Sequence, residues 1–433
     1  MNRYKEYKDS GIEWIGEIPS HWKIMPIKYC FNIVSGATPK TERKEFWDGE
    51  IIWITPADYK TEDHYIENGN RNITLQGLNS CGTEMVPKGS LIFSKRAPIG
   101  TVSIANTDLC TNQGCLSCVP KDEIESNFFY YLLTQPIKEF EILGSGATFL
   151  EISTTNFSNF DIPVPPLSEQ KEIADYLDKK CGEINAAVSK IDKELELLDE
   201  LKQSEISKAV TKGLNPKVSF KPTGIDWIGE IPIHWNVVKL SRVLKGIQDG
   251  THATLNRVEN GEVLLSAKNV FEDGIRIDEN ESQISKKDYE AIIGNGYPKK
   301  GDILLCCVGT IGRGFIYNFD YPLAFQRSVT FLRIKEEFYN EFILFSLRSL
   351  FSKIQFETFA KTSAQSGVYM GDLKKFLILL PPITEQKEIA DYLDKKCGEI
   401  DSLKEKLKQK KEKLQELRQS LISEVVTGKR KVF

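Results

Sequence analysis

The sequence predicts a mixed α/β (α+β) protein in which two tandem mixed domains alternate with two long helices. Two repeated segments and a heptad pattern carry this prediction. The chain has 433 residues, enough for two or three domains. The predicted segments are domain 1 over residues 1–166, a helix over 167–215, domain 2 over 216–382 and a second helix over 383–433.

Two segments occur twice, so the chain contains two tandem copies of one unit. Gly11–Trp22 reads GIEWIGEIPSHW, and Gly224–Trp235 reads GIDWIGEIPIHW. Glu169–Ile184 reads EQKEIADYLDKKCGEI, and Glu385–Ile400 repeats this string without a change. Repeats of this kind decide the fold. The openings and helix starts match closely while the regions between them have diverged, which indicates one frame carrying two different domains.

The long helices are predicted from their flanking residues. A Pro-Pro pair disfavours helix before it, and such a pair stands at Pro165-Pro166 and at Pro381-Pro382. Polar N-caps followed by an acid in the first turn favour helix initiation; the predicted pairs are Ser168 with Glu169, and Thr384 with Glu385. We expect the first helix to end near Lys212, before Gly213, and the second near Thr427, before Gly428.

Apolar residues recur along both helices at alternating steps of three and four, which is typical of a coiled-coil seam. The predicted seam residues are Ile184, Ile191, Leu195 and Leu198 in the first helix, and Ile400, Leu403, Leu407 and Leu414 in the second. Because domain 2 lies between the helices in the chain, we expect them to pack antiparallel, related by a pseudo-twofold axis. The helix pattern alone is equally consistent with a coiled coil that serves only for dimerisation or as a scaffold.

The two mixed domains carry short strand patterns separated by turn residues. The predicted strands of domain 1 are Ile51–Ile54, Leu91–Ser94, Gly100–Ile104 and Leu116–Val119, followed by a helix near Glu125–Leu133. The predicted strands of domain 2 are Val263–Leu265, Asp302–Cys306, Gly314–Tyr317 and Ser328–Leu332, followed by a helix near Glu337–Leu350.

A set of polar residues recurs beside these strands. In domain 1, Ser94-Lys95-Arg96 leads through Gly100-Thr101 to Asn112-Gln113; in domain 2, Val308–Arg313 leads to Phe325-Gln326-Arg327. Lys and Arg suit phosphate or guanine, and Gln can pair bidentately with adenine. A polar loop follows in each copy, at Gly144–Phe149 and Lys361–Tyr369. For any single residue, an ordinary solvated turn is the alternative.

This recurrence predicts candidate nucleic-acid contacts. In domain 1 they are Lys95, Arg96, Thr101, Gln113 and Thr148. In domain 2 they are Thr310, Arg313, Gln326, Arg327, Gln365 and Ser366, and the family resemblance given below adds Lys268 and Asn269. The net charge of −4 does not favour nucleic-acid binding by charge alone, so we expect the positive charge to be local.

Composition narrows the class further. No stretch approaches the ~20 apolar residues of a membrane span, and the polar segment Met1–Ser10 does not resemble a signal peptide, so we expect a cytoplasmic protein. Nine scattered cysteines fit reduced thiols. Cys115 and Cys118 form a CxxC without a second ligand pair, so we expect no metal site.

Known catalytic patterns are missing from the sequence. There is no GxxxxGK[ST] loop for a nucleotide phosphate. The Pro-Pro pairs lack the Asn or Asp before them and the aromatic residue after them that adenine methylation needs. A nuclease-like pattern through Asp161, Glu169 and Lys171 loses its first acid in the second copy, where Leu377 stands. We therefore expect no catalysis, with a self-contained restriction–methylation enzyme and a scaffold without a DNA role as alternatives.

The doubled PPLSEQKEIADYLD and PPITEQKEIADYLD segments, the doubled WIGEIPxHW openings, Asp249–His252 and Lys268-Asn269 closely resemble type I restriction–modification specificity subunits. The resemblance covers essentially the whole chain. It implies that the mixed domains are target-recognition domains, each binding one half of a bipartite double-stranded DNA site. Because the two domains differ, we expect two unlike half-sites.

The resemblance also implies partners and cofactors. The helices set the spacing of the half-sites and dock two modification subunits, which methylate adenine N6 with S-adenosylmethionine. Restriction subunits supply ATP-driven translocation and nuclease activity. S-adenosylmethionine, ATP and Mg are thus expected on the partners, with no cofactor on this chain. A helix of ~45 residues is roughly 65 Å long, enough to bridge half-sites about 34 Å apart.

Overall fold

A computed structural model of the chain describes residues 3–60, 63–96, 98–145, 150–360 and 367–432. It confirms the mixed class and the two long helices. The strands of the first copy are β1 (Tyr7–Asp9), β2 (Glu17–Pro19), β3 (Lys23–Pro26), β4 (Phe31–Ser35), β5 (Trp47–Ile54), β6 (Tyr65–Ile66), β7 (Arg71–Ile73), β8 (Leu91–Ser94), β9 (Val102–Ala105), β10 (Cys110–Thr111), β11 (Cys115–Pro120), β12 (Gly144–Ser145), β13 (Glu151–Ile152) and β14 (Asp161–Val164).

The strands of the second copy are β15 (Phe220–Pro222), β16 (Glu230–Pro232), β17 (Asn236–Lys239), β18 (Leu244–Asp249), β19 (Glu262–Leu265), β20 (Val270–Phe271), β21 (Gly274–Ile275), β22 (Gln283–Ile284), β23 (Ile303–Cys306), β24 (Gly314–Ile316), β25 (Ala324–Phe325), β26 (Val329–Ile334) and β27 (Leu377–Leu380). The α-helices are α1 (Ile27–Cys30), α2 (Leu75–Asn79), α3 (Ser126–Leu133), α4 (Ile137–Ile142), α5 (Thr154–Ser158), α6 (Leu167–Lys212), α7 (Leu240–Val243), α8 (Lys286–Asn295), α9 (Asn340–Arg348), α10 (Leu350–Phe359), α11 (Met370–Leu373) and α12 (Ile383–Val426). Each strand and helix predicted in the two mixed domains is present; Leu91–Ser94 has the predicted ends, and the others differ from the prediction at one or both ends.

The chain divides into two compact units. Unit 1 contains Met1–Ile191 and Gln409–Phe433, and unit 2 contains Asp192–Lys408. Each long helix is therefore shared, because α6 begins in unit 1 and ends in unit 2, while α12 begins in unit 2 and ends in unit 1.

Unit 1 is built on a five-stranded sheet in the order β4-β11-β8-β9-β6 and a three-stranded sheet in the order β10-β5-β7. Strand β11 pairs antiparallel with β4 and β8, whereas β10 pairs parallel with β5. A two-stranded ribbon of β3 and β14 joins the opening of the unit to the residues just before α6.

Unit 2 repeats this design with fewer strands. Its larger sheet has the order β18-β26-β23-β24, and its smaller sheet the order β22-β19-β25. Strand β25 pairs parallel with β19, as β10 does with β5. The ribbon of β17 and β27 occupies the place of β3 and β14.

The N-caps of the long helices lie two residues earlier than predicted. The first intrahelical hydrogen bond of α6 runs from the N–H of Gln170 to the carbonyl of Pro166 at 3.0 Å, so Pro166 is the N-cap and Ser168 lies inside the first turn. The prediction that Ser168 and Thr384 are N-caps is thus wrong, because Pro382 caps α12 in the same way. The predicted stops are confirmed: Gly213 and Gly428 follow the helices with φ of +73° and +75°.

The C-terminal end of each long helix is buried in the core of one unit. Ile206, Ala209 and Val210, near the end of α6, pack in the main core of unit 2 with Trp235. Leu421, Ile422, Val425 and Val426, near the end of α12, pack in the main core of unit 1 with Trp22. The first copy's domain is therefore completed by residues from the C-terminal end of the second copy's helix.

Within unit 2, ion pairs show the direction of the helices. Lys202 lies 2.9 Å from Asp401, and Lys404 contacts Asp199. The residue number rises along one helix as it falls along the other, so the segments run antiparallel, as predicted. In the described residues, no helix is both long and apolar enough to cross a membrane.

Candidate nucleic-acid interface

The two repeated segments meet at one contact in each unit. In unit 1 the buried Trp22 donates its indole N–H to Glu169 Oε2 at 3.0 Å, and His21 Nε2 lies 2.6 Å from Glu169 Oε1. In unit 2 the indole N–H of Trp235 donates to Glu385 Oε2 at 3.1 Å. The opening and the helix start thus form two halves of one joint, which accounts for their being repeated together.

A second buried contact fixes each domain to its helix. The Gln170 side chain donates to the carbonyl of Pro165 at 2.9 Å and accepts from the N–H of Glu125 at 2.8 Å. In unit 2, Gln386 donates to Pro381 at 2.8 Å and accepts from Tyr339 at 3.0 Å. The residues just before α3 and α9 are therefore anchored to the first turns of the long helices.

Loops converge at one edge of the larger sheet in unit 1. This edge, which we call edge 1, consists of residues 36–39, 95–96, 112–114 and 151–152. Three backbone hydrogen bonds hold its loops together: Ala37 N–H to Thr111 O at 3.0 Å, Lys95 N–H to Gly114 O at 2.9 Å, and Ile152 N–H to Lys95 O at 3.0 Å.

The corresponding edge of unit 2 has the same backbone connections. Edge 2 consists of residues 250–253, 307–308, 326–328 and 367–368. Its three hydrogen bonds are Thr251 N–H to Phe325 O at 2.7 Å, Cys307 N–H to Ser328 O at 2.9 Å, and Val368 N–H to Cys307 O at 2.9 Å. The edges therefore share one backbone frame and can be compared position by position.

This comparison shows which residues of the two edges are equivalent. The equivalent pairs, edge 1 first, are Lys95 and Cys307, Thr101 and Arg313, Asn112 and Gln326, and Gln113 and Arg327. The two glutamines therefore stand at neighbouring positions of the frame instead of the same one. What recurs is the backbone of the edge, while its side chains differ.

The predicted cations of edge 1 are engaged within the protein. Lys95 Nζ lies 2.9 Å from Glu151 Oε1, and Arg96 Nε donates to Glu151 Oε2 at 2.6 Å. Burial raises the pKa of Glu151, but the hydrogen bonds and charges of Lys95 and Arg96 outweigh it, so this pKa lies below its ordinary value. The three side chains join the end of β8 to β13, and only part of Arg96 is left for DNA.

The other two described candidates in unit 1 differ in accessibility. Thr101 is only 5% exposed, so this geometry does not support the prediction that its side chain contacts DNA. Gln113 is exposed and accepts a hydrogen bond from the Thr38 hydroxyl. Gln113 is thus the member of edge 1 that presents an amide outward.

Asn269 has a structural role in unit 2. Its side chain is 2% exposed, its Oδ1 accepts from the N–H of Ser266 at 2.9 Å, and its Nδ2 donates to the carbonyl of Arg276 at 3.1 Å and to Glu281. Asp58 fills the same place in unit 1, accepting from the N–H of Thr55 at 2.6 Å. The prediction that Asn269 contacts DNA is not supported, because its amide is fully used in holding this turn.

Lys268 lies beside this turn and remains accessible. Its ammonium group is 2.9 Å from Glu281 Oε1, and the carboxylate is buried while the lysine is exposed. Burial raises the pKa of Glu281, but the hydrogen bonds from Lys268, Ser282 and Asn269 outweigh it, leaving this pKa below its ordinary value. Binding of Lys268 to a phosphate would compete with this ion pair.

The remaining described candidates of unit 2 lie in two places. Thr310 and Arg313 line a cavity of about 740 Å³ together with Arg348 and Phe356. Arg313 donates to the carbonyl of Ala267 at 2.6 Å. Gln326 and Arg327 lie on edge 2, where Gln326 is half-buried and Arg327 exposed. Thr148, Gln365 and Ser366 lie outside the described residues.

The predicted seam residues are buried to different degrees. Ile191 is 4% exposed in unit 1 and Ile400 is 7% exposed in unit 2, while Leu403 is 46% exposed. The half-buried members are Ile184, Leu195, Leu198, Leu407 and Leu414. A seam role for Leu403 is not supported, because a core position of a coiled coil is buried.

Sequence reasoning missed the acids that bind predicted cations, which are Glu151 on edge 1 and Glu281 beside Lys268. It also missed Thr38, whose hydroxyl donates to Gln113. The signal in the sequence was weak, since Gly36-Ala37-Thr38 and Gly250-Thr251-His252 share only the glycine. In the described residues, no group of three His, Cys, Asp or Glu side chains is placed to hold a metal ion.

Comparison with known proteins agrees with this architecture. The chain matches the family described as Type I restriction modification DNA specificity domain over residues 19–197 and 232–413. It is 30% identical to the Type I restriction enzyme MjaIX specificity subunit of Methanocaldococcus jannaschii over 87% of this chain and 86% of that protein. The MjaVIII specificity subunit of that organism is 31% identical over 100% of this chain and 98% of its own length.

Solved structures share the fold. A chain from work on complex assembly and conformational transition of the type I R-M system has a TM-score of 0.71 at 18% identity, covering 94% of this chain and 98% of that one. The HsdS subunit of Thermoanaerobacter tengcongensis has a TM-score of 0.53 at 18% identity, covering 95% and 98%. With two matched specificity domains on a repeated helical frame, the chain belongs to the type I restriction–modification DNA specificity family.

Proposed function

We propose that the chain is the DNA sequence-recognition subunit of a type I restriction–modification complex. Each target-recognition domain binds one half of an asymmetric bipartite site. The observation that carries this proposal is that edges 1 and 2 share a backbone and differ in their exposed side chains. Sequence is read by polar side chains that a fixed backbone presents to base edges. Two different edges therefore imply two unlike half-sites.

The chain itself is non-catalytic in this proposal, and the chemistry belongs to its partners. Two modification subunits carry S-adenosylmethionine and methylate adenine N6, a reaction that takes the base out of the helix. Restriction subunits carry ATP and Mg. The long helices set the spacing of the half-sites and dock the modification subunits. Nine free cysteines support a cytoplasmic location.

The test is methylome sequencing of a host that carries this chain with its modification partner, against a host in which only this chain is deleted. We expect a bipartite adenine-methylation motif with unlike halves that disappears on deletion. A methylome unchanged by the deletion, with the partner expressed, would contradict the proposal and favour a scaffold. A palindromic motif would contradict only the asymmetry.

A further inference from the structure

Edges 1 and 2 carry different side chains at two equivalent positions, and the second of these positions is exposed in both edges. Thr38 and Gln113 in edge 1 correspond to His252 and Arg327 in edge 2. The loops that carry them approach closely, since a Cβ on Gly36 would lie 2.2 Å from Asn112 O and one on Gly250 would lie 2.3 Å from Gln326 O. Only glycine permits this approach, so the frame fixes where the paired side chains begin.

In edge 1 the threonine orients the amide. The Thr38 hydroxyl donates to Gln113 Oε1, and among the described residues the Gln113 Nε2 group donates to no partner. The amide therefore keeps a free donor and the second lone pair of Oε1 beside it. Adenine offers the matching acceptor and donor, N7 and N6, in the major groove.

In edge 2 the histidine contacts the aspartate at the end of β18. His252 Nε2 lies 3.6 Å from Asp249 Oδ2, and Asp249 Oδ1 accepts from the Thr330 hydroxyl at 2.6 Å. The backbone N–H of Arg327 donates to Thr251 O at 2.9 Å, which fixes its Cα. Its exposed guanidinium has no hydrogen bond or ion pair with any described residue. Guanine presents O6 and N7, the acceptors that fit this fork.

We propose that Gln113 contacts an adenine in one half-site and Arg327 a guanine in the other, with Thr38 as the positioning residue for Gln113. This inference rests on the proposed function, because it names the bases that the two domains distinguish. Other candidate cations are less suited to base contact. Lys95 and Arg96 are bound to Glu151, and Lys268 is bound to Glu281.

The experiment uses the whole chain assembled with its modification partner and measures the methylated motif genome-wide. We expect Gln113→Ala to relax one adenine position of one half-site, and Arg327→Ala to relax one guanine position of the other. Each should reduce discrimination about 10- to 100-fold at that position. The other half-site should keep its sequence in each case.

Conservative variants separate base contact from charge or folding. Arg327→Lys keeps the charge and loses the fork, so it should stay relaxed at the guanine. If Arg327→Ala weakens methylation of all sites without relaxing any base and Arg327→Lys restores it, Arg327 contacts a phosphate and the inference is overturned. Thr38→Ser should keep the adenine preference, while Thr38→Val should weaken it with an unchanged unfolding midpoint. Asn32→Ala and Arg242→Ala are matched controls that should leave both halves unchanged, because Asn32 lies near the start of β4 and Arg242 lies in α7 before β18, away from the edges that follow these strands.

The outcomes also distinguish the two proposals. If the unaltered chain and its partner produce no bipartite motif, the proposed function fails and this inference fails with it. If they produce one and both alanine variants leave it intact, the inference alone is overturned. Equal relaxation of both half-sites by either variant would also overturn it, because the two edges would then not act on separate bases.

Discussion

Units 1 and 2 differ most in the exposed side chains of edges 1 and 2, where the sequence predicts DNA contacts. They differ least where each domain joins a long helix. The joint of Trp22 with Glu169 recurs as Trp235 with Glu385, at 3.0 and 3.1 Å. The backbone hydrogen bonds of edges 1 and 2 also recur, yet the position that Gln113 occupies in edge 1 is occupied by Arg327 in edge 2. The comparison shows that the duplication preserved a supporting frame and left the exposed positions of that frame free to change.

The same contrast holds where each domain meets the sides of the long helices. Arg418 of α12 and Lys202 of α6 are equivalent in the repeat. In unit 1 the helix surface beside Arg418 faces aromatic residues, and the His64 ring stacks 4.0 Å from Tyr130 and 4.5 Å from Tyr65. In unit 2 Lys202 pairs with Glu272 at 3.2 Å instead. One helix surface thus supports domains with different side-chain chemistry.

The largest expected effect tests whether the joint is the same in both units. Trp22→Ala and Trp235→Ala each remove a fully buried indole and its hydrogen bond, which should lower the free energy of unfolding by about 3–5 kcal/mol. The exposed Trp227, stacked on Phe351 at 5.1 Å, is the control, and its loss should cost about 1 kcal/mol. Urea unfolding measures all three. A small effect at only one of the two buried positions would show that the joints are not equivalent.

A smaller effect sharpens the comparison of predicted and observed seam positions. Ile400 and Leu403 belong to the same heptad pattern, but they are 7% and 46% exposed. We expect Ile400→Ala to lower the free energy of unfolding by about 2–4 kcal/mol and Leu403→Ala to lower it by less than about 1 kcal/mol. Equal losses in thermal or urea unfolding would mean that Leu403 is buried in the protein as it exists in solution.

The smallest expected effect concerns His64, which lies near Arg418 of the long helix in unit 1. Unit 2 lacks this histidine. Burial lowers the pKa of His64 below its ordinary 6.5, and Arg418 adds to this, while Asp178 and the hydrogen bond with Asn127 oppose it. The unfolded chain therefore binds the proton more tightly. Stability is complete above about pH 6.5 and falls as the pH drops towards the folded-state pKa.

The measurement is the melting temperature of the chain between pH 7.5 and pH 5. Replacing His64 by Phe keeps a ring between the tyrosines and removes the titration, so the variant should lose less stability on acidification than the unaltered chain. Identical pH profiles for the two proteins would contradict the conclusion that protonation of His64 lowers the stability at acidic pH.

Much of the fold could be predicted because repeats and helix stops are local signals. Gly213 and Gly428 end their helices as expected, and the strands before them follow their apolar patterns. The N-caps lie two residues before the predicted ones, because the carbonyls of Pro166 and Pro382 accept the first helical hydrogen bonds. The exposure of Leu403 was not predicted, because a heptad pattern indicates an apolar stripe along a helix, whereas burial depends on which residues pack against that stripe.

The candidate site could be predicted only in outline. Asn269 and Thr101 are polar, but packing buries both, and no local pattern separates a buried polar side chain from an exposed one. The recurrence of a glutamine in each copy did not show which residues are equivalent. The registers of β10 and β25 show that Gln113 is equivalent to Arg327.

The central claim is that two independent domains on one frame each determine one half of the recognised site. Strands β17 and β27 pair Asn236 with Leu380, so exchanging residues 236–380 for the matching segment of a relative cuts the chain at two adjacent points. Methylome sequencing with the modification partner should show one new half-site and one unchanged half-site. A motif in which both halves change would contradict the account.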